Sequence, residues 1–262
     1  MLGEIKRNIK MHIKSLKYAW LSFTVYRTQA VIWALVSLLS SITGLVTISV
    51  IYSISNGING WNYYQVLMLA GLSNMMIGMV LYFGLTRIPF TLKNGIFDKM
   101  LVKPYNPISM LLLSEPKVLN TVIIISGLGI FAVSAYFLNL GVMSILVMLL
   151  IFFMGVAALI MFMLTLYLVF YVLIKGGRWL NSLLYIGITA SSYPLDIFGP
   201  TIMVLFTIGL PIGLATYYPA GFVFGKIPEE TILIVIAFEM ISIVVYYKLS
   251  EWLLTKYTSG GG

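Results

Sequence analysis

Residues able to do chemistry are few in this chain, and they are scattered. It holds one histidine, His12, and no cysteine. A thiol nucleophile, a disulfide frame, a cysteine metal site and a histidine metal cluster are therefore excluded within one chain. A Ser–His–Asp set would have to use a histidine near the N-terminus, and no pair of carboxylates converges as an acid–base pair requires. The only Gly-Lys pair, Gly225-Lys226, is followed by Ile227, and Ala220 stands where a phosphate loop needs its first glycine. Nucleotide binding by that motif is excluded. The expectation is no catalytic residue, no metal and no cofactor bound by this chain.

Three acidic residues still ask for an account. Glu239 lies well inside an apolar run, where an ionisable group is expensive and often functional. It is the candidate intramembrane polar site, with a glutamate facing a wet cavity or a neighbouring helix as the plainer reading. Asp196 and Glu115 each flank a proline, which reads as local capping or an ion pair rather than catalysis.

The elements that carry these residues are dictated by where charge is absent. Residues 28–86 and 118–174 contain no charged side chain, and each stretch is bounded by basic residues. A bilayer core takes about 20 helical residues to cross. Each stretch is long enough to go out and return, so each reads as a transmembrane hairpin with both feet on one side. The composition agrees: 60% of residues are hydrophobic and 9% charged, with mean hydropathy +1.02, against about a quarter charged in soluble domains. The net charge of +8 is one-sided. Every lysine and arginine except Lys226 falls on the side that the positive-inside rule makes cytoplasmic, both termini included. Basic residues at the ends of apolar runs argue against nucleic-acid binding.

The fold class that follows is an all-α polytopic membrane protein, a single membrane domain over residues 1–262. Residues 1–27 predict an amphipathic interfacial helix. Ile5, Ile9, Ile13, Leu16, Trp20 and Phe23 form its apolar stripe, beside Lys6, Lys10, Lys14 and Lys17. Spans are predicted at 30–54, 64–88, 108–137 and 142–174, with a fifth from Trp179 and a sixth over 231–247. Ser55-Asn56-Gly57-Ile58-Asn59-Gly60 reads as a breaker, and Trp61, Tyr63 and Tyr64 suit an interfacial aromatic belt. Ser40 and Gly44 are small residues at the spacing that lets helices approach. The fifth span meets Ser191-Ser192-Tyr193-Pro194 after about a dozen residues, then Asp196, Pro200 and a short apolar run around Pro211. A full crossing there would put Lys248 and Lys256 outside. Residues 191–228 are therefore expected to form a re-entrant outer segment between spans five and six, with a seventh span as the alternative. Non-helical backbone at that depth must be buried in protein or face water.

The largest inner connection, residues 90–107, holds Gly95-Ile96-Phe97-Asp98-Lys99-Met100-Leu101-Val102-Lys103-Pro104-Tyr105-Asn106-Pro107. A short helix between Gly95 and Val102 would place Phe97 and Leu101 on one face, with Pro104 as its stop.

With this run in view, the chain resembles permease subunits of type-two (ABC-2-type) ATP-binding-cassette exporters, from a branch of poorly known substrate. Tyr193-Pro194-Leu195-Asp196, Tyr218-Pro219 and the tail Tyr257-Thr258-Ser259-Gly260 support the likeness. The resemblance covers essentially the whole chain and implies a basic N-terminal elbow helix, six transmembrane helices and the re-entrant outer segment. It implies that Gly95, Phe97, Asp98, Lys99, Leu101, Lys103, Pro104 and Pro107 form the coupling segment seated on a separate ATPase. Phe97 and Leu101 would be packing anchors, and Asp98, Lys99 and Lys103 polar contacts. It implies an outer gate shaped by Tyr193, Pro194, Asp196, Pro211, Tyr218 and Pro219. ATP and magnesium would belong to the ATPase subunits. A second permease chain, identical or a sister, and membrane lipid complete the partners. The location implied is the cytoplasmic membrane of a bacterium or archaeon, and the cargo a lipid, drug, peptide or similar amphiphile. The alternatives are a secondary transporter or channel without an ATPase, disfavoured by so few intramembrane charges, and a membrane-embedded lipid-modifying enzyme, disfavoured by the lack of an acidic or histidine cluster.

Overall fold

The computed structural model describes residues 2–55 and 57–259, with the side chains at 2, 4, 5, 22 and 23 left aside. Asn56 of the breaker, Gly260 of the tail and the side chains of Ile5 and Phe23 lie outside the described residues. No strand occurs among the described residues. Twelve α-helices do: α1 Leu2–Val25, α2 Arg27–Ile54, α3 Tyr63–Tyr82, α4 Ile88–Lys93, α5 Asp98–Leu101, α6 Pro107–Leu113, α7 Thr121–Phe137, α8 Val142–Ile174, α9 Leu180–Ala190, α10 Gly199–Val204, α11 Tyr217–Val223 and α12 Glu229–Thr255.

Five of these, α7 being extended back to Val118 by a 3₁₀ turn, are long and apolar enough to cross a membrane. A sixth crossing needs α9 and residues 195–209 taken together, and those two pieces meet at a bend of 112°. The predicted single span over 108–137 is in fact two helices, α6 and α7, separated at Ser114–Lys117. Pro116 supplies no N–H and disfavours helical backbone at Glu115, so the helix cannot run through.

Two helices of similar hydropathy play opposite parts. α2 buries only Ala30, Ser41 and Ile48, a single narrow stripe, and leaves Trp33, Val36, Leu39 and Ile42 bare. α3 is buried nearly all round. Its N-terminus is set by a capping box, in which Asn62 Oδ1 accepts from the Gln65 N–H at 2.9 Å and Gln65 Oε1 from the Asn62 N–H at 3.0 Å. Glycines let α3 and α7 touch backbone to backbone. A Cβ on Gly71 would lie 2.9 Å from Phe131 N, and one on Gly127 2.7 Å from Gly71 O. Helices in lipid associate through such close packing, because lipid tails supply no hydrophobic drive. Ser40 and Gly44, expected to do this, are exposed, and a Cβ on Gly44 would meet nothing.

The basic ends of the helices gather at one end of the molecule, the inner end. α8 and α12 run in the same direction, since Phe162 packs on Tyr246, Thr165 hydrogen-bonds Ser250 at 2.9 Å and Tyr171 reaches Thr258. The chain between them must therefore make one net crossing. α1 docks at the inner end. Asn8 donates to Ser109 Oγ (3.0 Å), and the His12 ring lies between Leu113 O (3.0 Å) and Tyr82 Oη (3.1 Å). The docked face of α1 thus carries Asn8, Met11 and His12, while Ile9, Ile13 and Trp20 of the apolar stripe stay exposed.

Candidate functional site

Three constellations hold the residues singled out above, and the first is at the inner end. Pro89 sits in the first turn of α4, and Asn94 ends that helix. Gly95 then turns the chain with φ +64°, a left-handed value that glycine takes without strain. α5 follows, one turn long, and ends at Leu101, before Pro104 is reached. Asn106 caps α6 by accepting from the Ile108 and Ser109 N–H groups at 2.9 and 3.1 Å, with Pro107 as its first residue.

Within this segment Phe97 and Leu101 stand one helical turn apart, joined by the Leu101 N–H to Phe97 O bond at 3.0 Å, but they differ in burial. Phe97 is fully buried in its own chain, edge-on to Tyr257 with ring centroids 5.0 Å apart, whereas Leu101 is 43% exposed. Within its own chain the inward Phe97 ring is taken by the C-terminal tail. Asp98 is likewise occupied. Its Oδ1 accepts from the Tyr257 hydroxyl at 2.9 Å and its Oδ2 from Ser259 Oγ at 2.5 Å. Tyr257 stacks on Tyr171, and Thr258 is held by the Tyr171 hydroxyl and the Lys175 ammonium. The tail therefore clasps the inner connection to the end of α8. Lys99, Leu101, Val102, Lys103 and Pro104 stay exposed and form a continuous surface with two aliphatic residues between two lysines. Val102, 84% exposed, was not among the expected contacts.

The second constellation is at the outer end. Trp61 Nε1 donates to Asp196 Oδ2 at 3.1 Å. The same indole packs on Tyr217 and Phe224, with ring centroids 5.9 and 6.1 Å away, and Lys226 donates to Gly60 O at 2.8 Å. Both ends of residues 196–217 thus return to one tryptophan. Between them α10 continues into a π turn, Leu205–Gly209, and residues 210–221 are buried without a break. That run holds Pro211, Tyr218 and Pro219, and Pro194 is buried nearby. Tyr193 is half-buried against the core, and the Tyr218 hydroxyl meets Thr207 Oγ1 at 3.2 Å. The tip lies on α8, where a Cβ on Gly155 would be 2.5 Å from the Leu214 carbonyl carbon. Trp61 was expected in an interfacial belt, but it is 2% exposed and works as the pin of this segment. The signal that could have found it is the charge pair Asp196 and Lys226 on the outer side, for which an indole N–H and the turn carbonyls are suitable partners.

Glu239 stands alone. It is fully buried on the face of α12 that carries Val235 and Ser242, and neither carboxyl oxygen has a hydrogen-bond partner among the described residues. An unpartnered buried carboxyl is costly. No group of three or more His, Asp or Glu side chains that could hold a metal occurs among the described residues.

A helical, multi-pass membrane protein with a compact inner connection and a broken fifth crossing is the class these features define. Against protein families, the chain matches the model of the ABC-2 family transporter protein over residues 38–261. It belongs to that family, as the membrane component of an ATP-binding-cassette transporter. Searches of curated proteins and of solved structures returned no match.

Proposed function

We propose that this chain is the permease subunit of an ATP-binding-cassette exporter in a bacterial or archaeal cytoplasmic membrane, with both termini in the cytosol. The family match over residues 38–261 carries this reading. ATP and magnesium act on separate ATPase subunits. The surface offered to the ATPase is Lys99, Leu101, Val102, Lys103 and Pro104, backed by Gly95 and Pro107 as the turns that fix its ends. Phe97 and Asp98 act indirectly, by tying that surface through Tyr257 to α8. The division is physically sensible: a rigid clasp passes displacement of a loop to a long helix, whereas a loose loop would absorb it.

A second permease chain completes the pathway, and the bare face of α2 is the surface with room for it or for lipid. Residues 191–228 form the re-entrant outer gate, with Tyr193, Pro194, Asp196, Pro211, Tyr218 and Pro219 shaping it and Trp61 holding its ends. Two conformations are required, and ATP binding biases one of them. The cargo is an amphiphile.

The test is purification of the chain from its native membrane. An ATPase subunit is expected to come with it, and Leu101→Glu with Val102→Glu is expected to release that subunit while the permease stays monodisperse. Recovery without any ATPase would favour a secondary transporter or channel. Undiminished association of the double variant would move the docking surface elsewhere.

A further inference from the structure

A cleft of about 880 Å³ opens at the inner end between α1, the start of α2 and the break before α7. Its size falls within the range of small-molecule sites, about 300–1,000 Å³. None of the residues discussed above as coupling or gate elements lines it. We propose that this cleft binds an amphiphile with an anionic headgroup: Arg87 and Lys117 take the head, and Trp33 and Leu119 take the apolar part.

The charge balance argues for an anion. Arg87 Nη1 and Lys117 Nζ lie 2.8 and 3.6 Å from the same Glu115 oxygen, which leaves two cations on one carboxylate. Both cations line the cleft. Burial and the neighbouring Arg87 push the Lys117 ammonium below the ordinary lysine range, with Glu115 pulling the other way. A second anion relieves that repulsion. Gln29 and Asn120 add side-chain amides to the same lining. An anion accepting from a guanidinium and an ammonium makes charge-assisted hydrogen bonds, the stronger kind.

The walls argue for a tail. Leu81, Val118, Leu119 and Trp33 are apolar, and Tyr18, Tyr26 and Trp33 are 71, 64 and 51% exposed at the rim. The cleft therefore sets partly exposed charged side chains against apolar walls, a gradient in polarity. A molecule with a charged head and a hydrocarbon body fits that gradient, with its head at the depth where α1 docks. The site requires the membrane placement of α1 and α2, and it is independent of whether the chain exports anything.

Occupancy is read directly. The chain, with any ATPase subunit that accompanies it, is purified in mild detergent and exchanged with equal amounts of dioleoyl phosphatidylglycerol and dioleoyl phosphatidylcholine. Retained lipid is counted by native mass spectrometry. Phosphatidylglycerol is expected to be held preferentially. Arg87→Gln with Lys117→Gln is expected to lower its retention by roughly tenfold, as for loss of charge-assisted bonds. Trp33→Ala is expected to lower it less. Glu115→Gln frees both cations and should raise retention, an outcome that misfolding cannot mimic. Lys248→Gln with Lys256→Gln, the same loss of two cations at other exposed positions, should leave it unaltered. Equal retention of the two lipids, or no gain in Glu115→Gln, overturns the proposal. Displacement by millimolar inorganic phosphate would make the cleft a site for free anions and would also overturn it.

Discussion

At the inner end the chain is tied by its own C-terminal tail, half-exposed and held through hydroxyls on one carboxylate. At the outer end it is tied by a tryptophan that is buried, with aromatic rings around it and one indole hydrogen bond to Asp196. Both ties close a long loop of sequence, 159 residues for Tyr257–Asp98 and 135 for Trp61–Asp196. They differ in what their removal exposes. The outer tie holds residues 210–221, a run buried without a break and paired through turns and α11, so its loss exposes a whole buried segment. The inner tie covers one phenylalanine and a carboxylate beside water.

The largest effect that would break this contrast is expected from Gly155→Leu. Its side chain would collide with the Leu214–Ala215 backbone, from 2.5 Å at the Cβ alone. We expect a loss of about 3 kcal/mol or of folded protein altogether, measured by thermal unfolding and monodispersity in detergent. Trp61→Ala comes next, at about 3–5 kcal/mol for truncating a buried tryptophan. Trp61→Phe keeps most of the packing and removes the bond to Asp196, for about 1.5–3 kcal/mol. If Trp61→Phe proves as severe as Trp61→Ala, the hydrogen bond outweighs the packing.

At the inner end Tyr257→Phe keeps the ring contacts with Phe97 and Tyr171 and removes the hydroxyl on Asp98. Thermal unfolding should move little, by about 1 kcal/mol, while protease cleavage within residues 93–104 rises. A fall in stability as large as for Trp61→Ala would erase the distinction between the two ends. The smallest effect concerns pH. Burial, then the bond to Asp98, pushes the Tyr257 hydroxyl above the ordinary tyrosine range. Below about pH 10 the phenol is neutral in the clasped and the released tail alike, so nothing changes. Above it the released tail ionises first, and release gains. Hydrogen exchange in the tail should rise beyond that pH before exchange in α8 does.

Much of the architecture was legible from residue order. Long uncharged runs bounded by lysine and arginine announced the helices, because hydropathy and charge act on each segment separately. The break in the fifth crossing was legible from Pro194, Pro200 and Pro211 for the same local reason. The inner run Gly95–Pro107 was recognisable as a compact connection, and Pro107 and Asn106 do start α6. Other features were not. Ser40 and Gly44 stood at a spacing that suits close helix contact, yet it is Gly71 and Gly127 that meet a facing backbone. The contact of Phe97 with Tyr257 was not legible, because nothing near Phe97 in sequence hints at so distant a partner. Trp61 looked like a belt residue until Asp196 and Tyr217 were brought to it.

The sequence by itself determined that this is a multi-pass helical protein, which connections are basic, and where helices must stop. Each of those depends on the preference of a short stretch for lipid, water or a given backbone angle. Only the tertiary structure decided which apolar helix is central, which face of α1 docks, and which side chains of the connections remain free. Those outcomes depend on close packing between segments more than a hundred residues apart, and no local preference encodes the identity of a distant neighbour.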